Sequence, residues 1–212
     1  MRVRKVVTRR GRNIRGYFPS AKLGRMVAWE SLLERDAILL AELSPGVIRY
    51  QEQPEVISYW DGHRQRDYVP DLAITLSDQQ LIHIEVKPSS ELAKPSLRAK
   101  YGAIAAHYQR TGTSFRILTE LEIRREPRFG NLQMLAVFAR HGLCQCPDHS
   151  KLVRLLDDRA SLALAEWDDL LGRSTTFRLI AAGLLACDLA QQLSPETVVA
   201  LSQGGCHATV LL

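Results

Sequence analysis

Two acidic residues and a lysine stand at a spacing that could support metal-dependent hydrolysis. Asp71 follows Pro70 at the start of one apolar run, and Glu85 and Lys87 flank Val86 at the end of the next. Residues two apart on a β-strand share a face, so the Glu85 carboxylate and the Lys87 ammonium would lie side by side. A hard divalent cation prefers carboxylate oxygens, and a lysine can orient or deprotonate the attacking water or neutralise a phosphate. The pattern predicts hydrolysis of a phosphodiester with bound Mg²⁺, for which Mn²⁺ would substitute.

The pairing of residues 68–76 with residues 81–87 in a hairpin decides whether these side chains meet. One register puts the branched apolar residues on a shared face, with Leu72 opposite Ile84 and Ile74 opposite Ile82. The same register puts Asp71 opposite Glu85, with their Cβ atoms about 5 Å apart. Two carboxylates at that distance repel one another unless a cation lies nearby. We expect Asp71, Glu85 and Lys87 on the solvent-exposed face of the hairpin.

A third carboxylate comes from residues 26–43, which have the apolar periodicity of a helix. Glu30 and Glu34 lie one turn apart on one face of that helix, where like charges repel slightly. A helix packed beside the hairpin would bring one of them, Glu30 or Glu34, to the metal, and the residues alone leave the choice between them open. The hairpin supplies Asp71, Glu85 and Lys87 as predicted catalytic residues, with the two carboxylates as predicted metal ligands.

These residues also have a simpler explanation. A Glu-x-Lys pair on a strand is commonly a surface salt bridge. Glu34 on a solvated helix face would likewise pair with a basic neighbour such as Arg35. The combination of Pro70-Asp71, a short turn and a strand that ends in Glu85-Val86-Lys87 favours the catalytic interpretation.

Positive charge is concentrated at the start of the chain. Residues 1–29 contain nine Lys and Arg and no Asp or Glu, whereas the whole chain carries a formal net charge of +5. Such a basic arm suits phosphate contacts that hold DNA without reading its sequence, and a solvated tail explains the charge equally well. The candidate DNA-binding residues are Arg9, Arg10, Arg12, Arg15, Lys22 and Arg25.

The composition is that of an ordinary globular protein, with 46% hydrophobic and 24% charged residues among 212. No apolar run approaches the roughly 20 residues that cross a bilayer, and the N-terminus lacks the apolar core of a signal peptide. We therefore expect a cytoplasmic protein with no membrane partner and with four reduced cysteines. Zinc is a weak alternative for the cluster of His141, Cys144, Cys146 and His149, because the Cys-x-Cys spacing has no second pair.

The surrounding elements favour an α/β fold. We predict strands at residues 47–50 and 55–60, then the hairpin, a helix at 96–110 closed by Gly112, and a strand at 115–119. That order indicates a mixed sheet flanked by helices.

The last third of the chain has a helical pattern. We predict helices at residues 151–157, 161–171 and 175–185 and a last one that begins at Ser194, with Pro195 at its first position. Trp167 and Phe177 stand among leucines at helical spacing and should be core residues. The predicted organisation is a basic arm at 1–25, a catalytic domain at 26–140 and a small helical domain at 148–212.

Four segments together resemble one known family. They are Ser31-Leu32-Leu33-Glu34-Arg35-Asp36, Tyr50-Gln51-Glu52-Gln53-Pro54, Tyr68-Val69-Pro70-Asp71 and Glu85-Val86-Lys87-Pro88. Pro70-Asp71 followed by Glu85-Val86-Lys87 looks like the PD-(D/E)XK nuclease signature, and the wider set resembles the TnsA-type transposon endonucleases. The likeness covers most of residues 17–125 well and the C-terminal part loosely.

The resemblance implies a fold, a chemistry and partners. The fold would be the restriction-endonuclease-like sheet of PD-(D/E)XK enzymes with a small, winged-helix-like C-terminal domain. Glu34 would be the helix-borne acid, with Glu30 as the second choice, Asp71 the central metal ligand and Lys87 the catalytic lysine, while some family members carry Gln where Glu85 stands. The predicted catalytic residues are then Glu34, Asp71, Glu85 and Lys87, and the three carboxylates among them are the predicted metal ligands. The protein would cut double-stranded DNA at the 5′ ends of a mobile element, beside a DDE-type transposase subunit that cuts the 3′ ends. An ATP-dependent regulator would bind the C-terminal domain.

Two other functions fit the same residues. A stand-alone PD-(D/E)XK nuclease of restriction or repair would have no need of a regulator-binding C-terminal domain. A non-catalytic DNA-binding scaffold with the same fold would have no need of the complete set of Glu34, Asp71, Glu85 and Lys87.

Overall fold

The computed structural model describes residues 14–139 and 146–202 of the chain. These residues form two compact units. Unit 1 comprises the chain up to Ile38 together with Val47–Arg124, and unit 2 comprises Leu39–Gly46 together with the chain from Arg125 onward. The domain boundaries inferred from the sequence stay a prediction. No helix within the described ranges has both the length and the apolar character to cross a membrane.

Unit 1 contains a four-stranded mixed sheet. Its elements are β1 (Gly16–Ser20), β2 (Arg25–Trp29), the first part of α1 (Leu32–Glu42), β3 (Val47–Glu52), β4 (Ile57–Trp60), β5 (Gln65–Tyr68), β6 (Leu72–Leu76), β7 (Leu81–Val86), α2 (Ser89–Leu92), α3 (Pro95–Thr111), β8 (Ser114–Leu118) and α4 (Glu120–Ile123). The sheet order is β3-β6-β7-β8, in which β7 and β8 are parallel and the other neighbours are antiparallel. The predicted α/β class, with a mixed sheet flanked by helices, is confirmed.

The β6–β7 hairpin has the predicted register, with Leu72 paired to Ile84 and Ile74 paired to Ile82. All four side chains are at most 5% exposed. A shift of one residue would move each strand's apolar side chains to the opposite face, so their burial fixes the register. Asp71 immediately precedes β6, and Glu85 is the penultimate residue of β7. The two acidic residues therefore stand at the same end of the hairpin.

The other face of the hairpin is buried as well, so the prediction that it is solvent-exposed is wrong. Glu85 is 3% exposed and His83 is 2% exposed. Helix α3 covers this face: its Tyr101 hydroxyl is hydrogen-bonded to Glu85, and its Tyr108 hydroxyl is hydrogen-bonded to His83. The catalytic candidates thus lie at a boundary between the core and the solvent.

The helix predicted to begin at residue 26 begins later. Residues 25–29 form β2, which pairs antiparallel with β1, and Val27 and Ala28 are buried there. Helix α1 follows Ser31, whose Oγ accepts a hydrogen bond of 3.1 Å from the Glu34 N–H. A Ser three residues before a Glu is a start signal for a helix, and it marks this boundary better than the apolar periodicity does.

Unit 2 is mainly helical and contains a small antiparallel sheet. After the last part of α1, its elements are α5 (Arg128–Ala139), α6 (His149–Leu156), β9 (Ser161–Ala163), α7 (Leu164–Leu171), α8 (Arg173–Ala181), β10 (Leu185–Ala186) and β11 (Val198–Leu201). The sheet order is β10-β11-β9. Trp167 and Phe177 are buried, as predicted, and the Trp167 indole N–H donates a 3.1 Å hydrogen bond to the Val199 carbonyl oxygen.

Three of the helical predictions in unit 2 differ from the structure. The helix predicted at residues 175–185 ends at Ala181, and Leu185 lies in strand β10. Ser194 does not start a helix: its N–H donates to Thr197 Oγ1 at 2.9 Å, and the Thr197 N–H donates back to its carbonyl oxygen at 3.0 Å. This turn leads into β11, whose Val198 and Val199 are β-branched and pair with β9. Residues 161–163, predicted as helical, form β9 because β11 provides them with a strand partner.

Candidate active site

Asp71 and Glu85 meet around the ammonium group of Lys87. Lys87 Nζ lies 3.0 Å from Glu85 Oε1 and 3.7 Å from Asp71 Oδ2. The structure thus brings together three of the four predicted catalytic side chains. The exposed fraction of the side chain is 4% for Glu85, 18% for Asp71 and 26% for Lys87. The cluster is therefore reached by solvent from the side of Asp71 and Lys87.

Asp71 is fixed by the backbone of its two neighbouring strands. Its Oδ2 accepts a 2.8 Å hydrogen bond from the Val86 N–H, and its carbonyl oxygen accepts one of 3.0 Å from the Gln53 N–H. Among the described residues nothing donates a hydrogen bond to Asp71 Oδ1, which leaves this oxygen available to a cation. Gln53 is buried, has a left-handed φ of 43°, and within the described ranges its Oε1 has no hydrogen-bond partner.

Glu85 is held by two tyrosine hydroxyls. The Tyr68 hydroxyl donates to Glu85 Oε2 at 2.5 Å, and the Tyr101 hydroxyl donates to Oε1 at 2.6 Å. Burial, followed by the negative charge of Glu85, raises the pKa of both tyrosines well above the usual value, so both remain protonated donors at neutral pH. Sequence reasoning misses both residues. The position of Tyr68 three residues before Asp71 is the one signal that points to it, and no local pattern distinguishes Tyr101.

Glu34, the predicted helix ligand, lies at the start of α1. Its Oε2 accepts a 2.8 Å hydrogen bond from the Glu30 N–H, and its Oε1 accepts one of 3.1 Å from the Ser31 hydroxyl. Burial raises the pKa of Glu34, while these hydrogen bonds and the charge of Lys87 act in the opposite direction. Glu34 therefore interacts electrostatically with the cluster, although both of its oxygens are engaged at the helix start. Glu30 contributes its backbone N–H to this arrangement.

Negative charge is crowded at this site. Burial, followed by the charge of Glu85, raises the pKa of Asp71 well above its usual value, and the charge of Lys87 only partly offsets this. Burial lowers the pKa of Lys87, but the charges of Asp71 and Glu85 outweigh it, and the net pKa lies above the usual value. Lys87 is therefore protonated at neutral pH. A further cation would relieve the remaining repulsion between the carboxylates.

The chemistry of these donors fits a hard divalent cation, which prefers carboxylate oxygens. Within residues 14–139 and 146–202, however, no three His, Cys, Asp or Glu side chains are arranged to hold a metal ion as they stand. Lys87 Nζ lies against both Asp71 and Glu85, and both carboxylate oxygens of Glu34 accept hydrogen bonds at the start of α1. Binding of a metal by all three carboxylates would therefore require Lys87 and Glu34 to give up some of these contacts.

The predicted DNA-binding residues fall into two groups. Arg9, Arg10 and Arg12 lie outside the described residues. Arg15 immediately precedes β1, and Lys22 Nζ donates a 2.6 Å hydrogen bond to the Val47 carbonyl oxygen. The Arg25 guanidinium donates two hydrogen bonds, of 2.9 and 2.7 Å, to the Glu52 carboxylate. Contact of these residues with DNA stays a prediction, and the guanidinium of Arg25 already has a carboxylate partner.

The cysteines add no second site among the described residues. Cys146 and Cys187 are free thiols, and burial raises the pKa of Cys187 to about 11. His141, Cys144 and Cys206 lie outside the described ranges, so the weak zinc hypothesis stays a prediction.

The sequence of the chain matches no curated protein. Residues 44–120 match the family model described as the N-terminal domain of TnsA-like endonucleases. This range contains Asp71, Glu85 and Lys87 as well as Tyr68 and Tyr101, whereas Glu34 precedes it. The resemblance to TnsA-type endonucleases that the sequence motifs indicate is therefore confirmed for residues 44–120 of the chain.

Proposed function

We propose that the protein is a metal-dependent DNA endonuclease and that it cuts the 5′ ends of a mobile element as one subunit of a heteromeric transposase. The match of residues 44–120 to TnsA-like endonucleases supports a nuclease that acts in transposition. The observation that carries the metal-dependent chemistry is the position of Asp71 and Glu85 around Lys87 Nζ, at 3.7 and 3.0 Å. Crowded carboxylates at a partly open site are the donors that metal-assisted phosphodiester hydrolysis requires.

Each residue of the cluster has a distinct role in this proposal. A bound Mg²⁺ or Mn²⁺ would polarise a phosphoryl oxygen and lower the pKa of a water molecule. Asp71, whose Oδ1 is available, and Glu85 would hold the ion, and Glu34 would supply the third carboxylate. Lys87, which is charged in the metal-free site, would bind the scissile phosphate, or it would orient or deprotonate the attacking water.

We further propose a PD-(D/E)XK fold for unit 1 and a winged-helix fold for unit 2. In unit 1, an acidic residue before β6 and a Glu-x-Lys at the end of β7 occupy adjacent strands of a mixed sheet, which supports the first assignment. In unit 2, the order from α6 to β11 is helix, strand, two helices and two strands, and the sheet order β10-β11-β9 places the last strand in the middle. This compact three-stranded arrangement supports the second assignment.

The proposed partners rest on the family likeness. The substrate would be double-stranded DNA at the ends of the element, and the basic residues of the N-terminal part would contact its phosphates. A DDE-type transposase subunit would make the 3′ cuts. An ATP-dependent regulator would bind the C-terminal domain at residues 148–212.

Calorimetric titration with Mg²⁺ and Mn²⁺ tests the proposed function. The informative variant is Asp71→Asn, whose amide oxygen can still accept the hydrogen bond from the Val86 N–H but which lacks the negative charge. We expect the purified wild type to bind metal and, together with the transposase subunit, to cleave duplex DNA at the element ends, and Asp71→Asn to lose both properties. The matched control is Asp78→Asn in the exposed β6–β7 turn, which should behave like the wild type.

The metal titration and a cleavage assay together separate the proposal from its alternatives. Equal heats of metal binding for the wild type and Asp71→Asn, at millimolar metal and with DNA present, would favour a non-catalytic DNA-binding scaffold over an endonuclease. Full, metal-dependent cleavage of unrelated duplex DNA by the purified protein alone would favour a stand-alone restriction or repair nuclease.

A further inference from the structure

We infer that Tyr68 and Tyr101 are positioning residues that fix the Glu85 carboxylate for metal binding, a role that rests on the proposed metal-dependent function. The two hydroxyls bind different oxygens of the same carboxylate, Tyr68 at Oε2 and Tyr101 at Oε1. Two donors on opposite oxygens fix both the position and the rotation of the carboxylate plane. A metal ligand that is held in this way loses little conformational entropy when the ion binds.

The tyrosines leave Glu85 able to bind a cation. A carboxylate has two oxygens with about four lone pairs in total, so one hydroxyl on each oxygen leaves roughly half of that capacity. A neutral hydroxyl also preserves the negative charge of Glu85, whereas a second lysine or arginine in its place would compensate that charge. If Lys87 moves toward a phosphate, Glu85 Oε1 will keep the hydrogen bond from the Tyr101 hydroxyl. The lone pair of Oε1 that faced the ammonium will then be available to a cation.

Both tyrosine rings are themselves anchored. Tyr68 is the last residue of β5 and Tyr101 lies within α3, so two elements that do not belong to the four-stranded sheet converge on Glu85. Both rings are buried in one apolar cluster with Tyr59, Ile104 and Tyr108. Lys100 Nζ also lies 5.6 Å from the centre of the Tyr68 ring and 5.1 Å from that of Tyr101, at distances typical of cation–π contacts. The hydroxyls are therefore presented by rings with little freedom to move.

Tyr108 provides a matched control within the same cluster. It lies two helical turns after Tyr101 in α3 and is 3% exposed, but its hydroxyl is 2.8 Å from His83 Nδ1 and does not reach Glu85. Replacement of Tyr108 by Phe removes a buried hydroxyl of the same kind without changing a donor to Glu85. Any general effect of a lost buried hydroxyl will therefore appear in this variant as well.

The test is calorimetric titration with Mn²⁺ of the full-length wild type and of Tyr68→Phe, Tyr101→Phe and Tyr108→Phe, each first shown to be folded by circular dichroism. Mutation of a residue that is hydrogen-bonded to a metal ligand commonly lowers metal affinity by about 10- to 100-fold. We expect that loss of affinity in Tyr68→Phe and Tyr101→Phe and wild-type affinity in Tyr108→Phe. In cleavage assays the same two variants should lower kcat at saturating DNA while KM for DNA is unchanged, because neither hydroxyl is proposed to contact the substrate.

Three outcomes are decisive. Wild-type Mn²⁺ affinity in folded Tyr68→Phe and Tyr101→Phe would overturn the positioning role and leave the metal-dependent function standing. An equal loss of affinity in Tyr108→Phe would overturn it too, because the effect would then belong to the packing of the cluster. Absence of Mn²⁺ binding by the wild type itself would overturn the proposed function, and the positioning role with it.

Discussion

The Asp71 carboxylate accepts a 2.8 Å hydrogen bond from the Val86 N–H, so the residue before β6 is tied to the last residue of β7. One side chain therefore both braces the open end of the hairpin and contributes negative charge to the site. The amide of an asparagine can accept the same hydrogen bond but carries no negative charge, so Asp71→Asn separates the two contributions.

We expect metal-free Asp71→Asn to be at least as stable as the wild type, and Asp71→Ala to be about 1 kcal/mol less stable than Asp71→Asn. The reason is that the charge of Asp71 is crowded by Glu85, whereas its hydrogen bond to the Val86 N–H is favourable. Urea unfolding in the presence of a chelator measures both differences. A clear loss of stability in Asp71→Asn would show that the charge itself supports the fold.

Replacement of Lys87 by Met should separate catalysis from metal binding. The ammonium lies against the two carboxylates that are proposed to hold the ion, so its removal should leave Mn²⁺ affinity unchanged or higher. Cleavage should fall by about 10²- to 10⁴-fold, because a charged group at the phosphate or the attacking water is lost. Calorimetry and a duplex cleavage assay measure the two effects. Lys151→Met, at an exposed position of α6, should change neither. Weaker Mn²⁺ binding by Lys87→Met would contradict this division of roles.

The elements that sequence reasoning locates well carry local signals. Helix α3 spans Pro95–Thr111, close to the predicted range of 96–110, because Pro at the first position and Gly112 with φ of 71° mark its ends. The hairpin register follows from the alternation of branched apolar residues in β6 and β7. The meeting of Asp71 with Glu85 and Lys87 follows from that register, so this part of the site can be inferred from the amino-acid sequence alone.

The features that the sequence does not reveal depend on tertiary partners. Residues 25–29 have an apolar pattern short enough to fit a helix or a strand, and pairing with β1 decides the outcome. Burial of Glu85 depends on Tyr101, sixteen residues further along the chain, and no local pattern predicts which face α3 covers. The strand after Ser194 exists because β9 and β10 supply partners for it. Long-range packing of this kind cannot be derived from a single sequence.

The Arg25–Glu52 pair predicts a pH-dependent contribution to stability. The Glu52 side chain is 7% exposed, and although burial raises its pKa, the hydrogen bonds and charge of Arg25 outweigh this and hold the pKa below its usual value. A carboxyl whose pKa is lowered by folding stabilises the protein above its unfolded pKa, and this stabilisation is lost as the pH falls through the folded pKa. We therefore expect Arg25→Met to cost about 1–3 kcal/mol at neutral pH and progressively less in acid.

Urea unfolding of Arg25→Met and wild type, at neutral pH and at a pH below the usual range of glutamate, checks this expectation. The control is Arg49→Met on β3, which is exposed and should change stability by less than about 0.5 kcal/mol at either pH. A cost for Arg25→Met that is the same at both pH values would show that its effect comes from packing and not from the charge of Glu52.

Deletion of residues 1–13 tests whether the basic arm binds DNA. This segment carries six Lys and Arg, and its removal leaves β1, which begins at Gly16, complete. Each phosphate contact contributes about 0.9 to the slope of log affinity against log salt concentration, so the slope should become flatter by up to about five. Fluorescence anisotropy with a labelled duplex at several salt concentrations measures it. Deletion of residues 203–212, a segment without Lys or Arg, is the control and should leave the slope unchanged. An unchanged slope without residues 1–13 would identify this segment as a solvated tail, and the phosphate contacts would then have to come from the rest of the chain or from a partner.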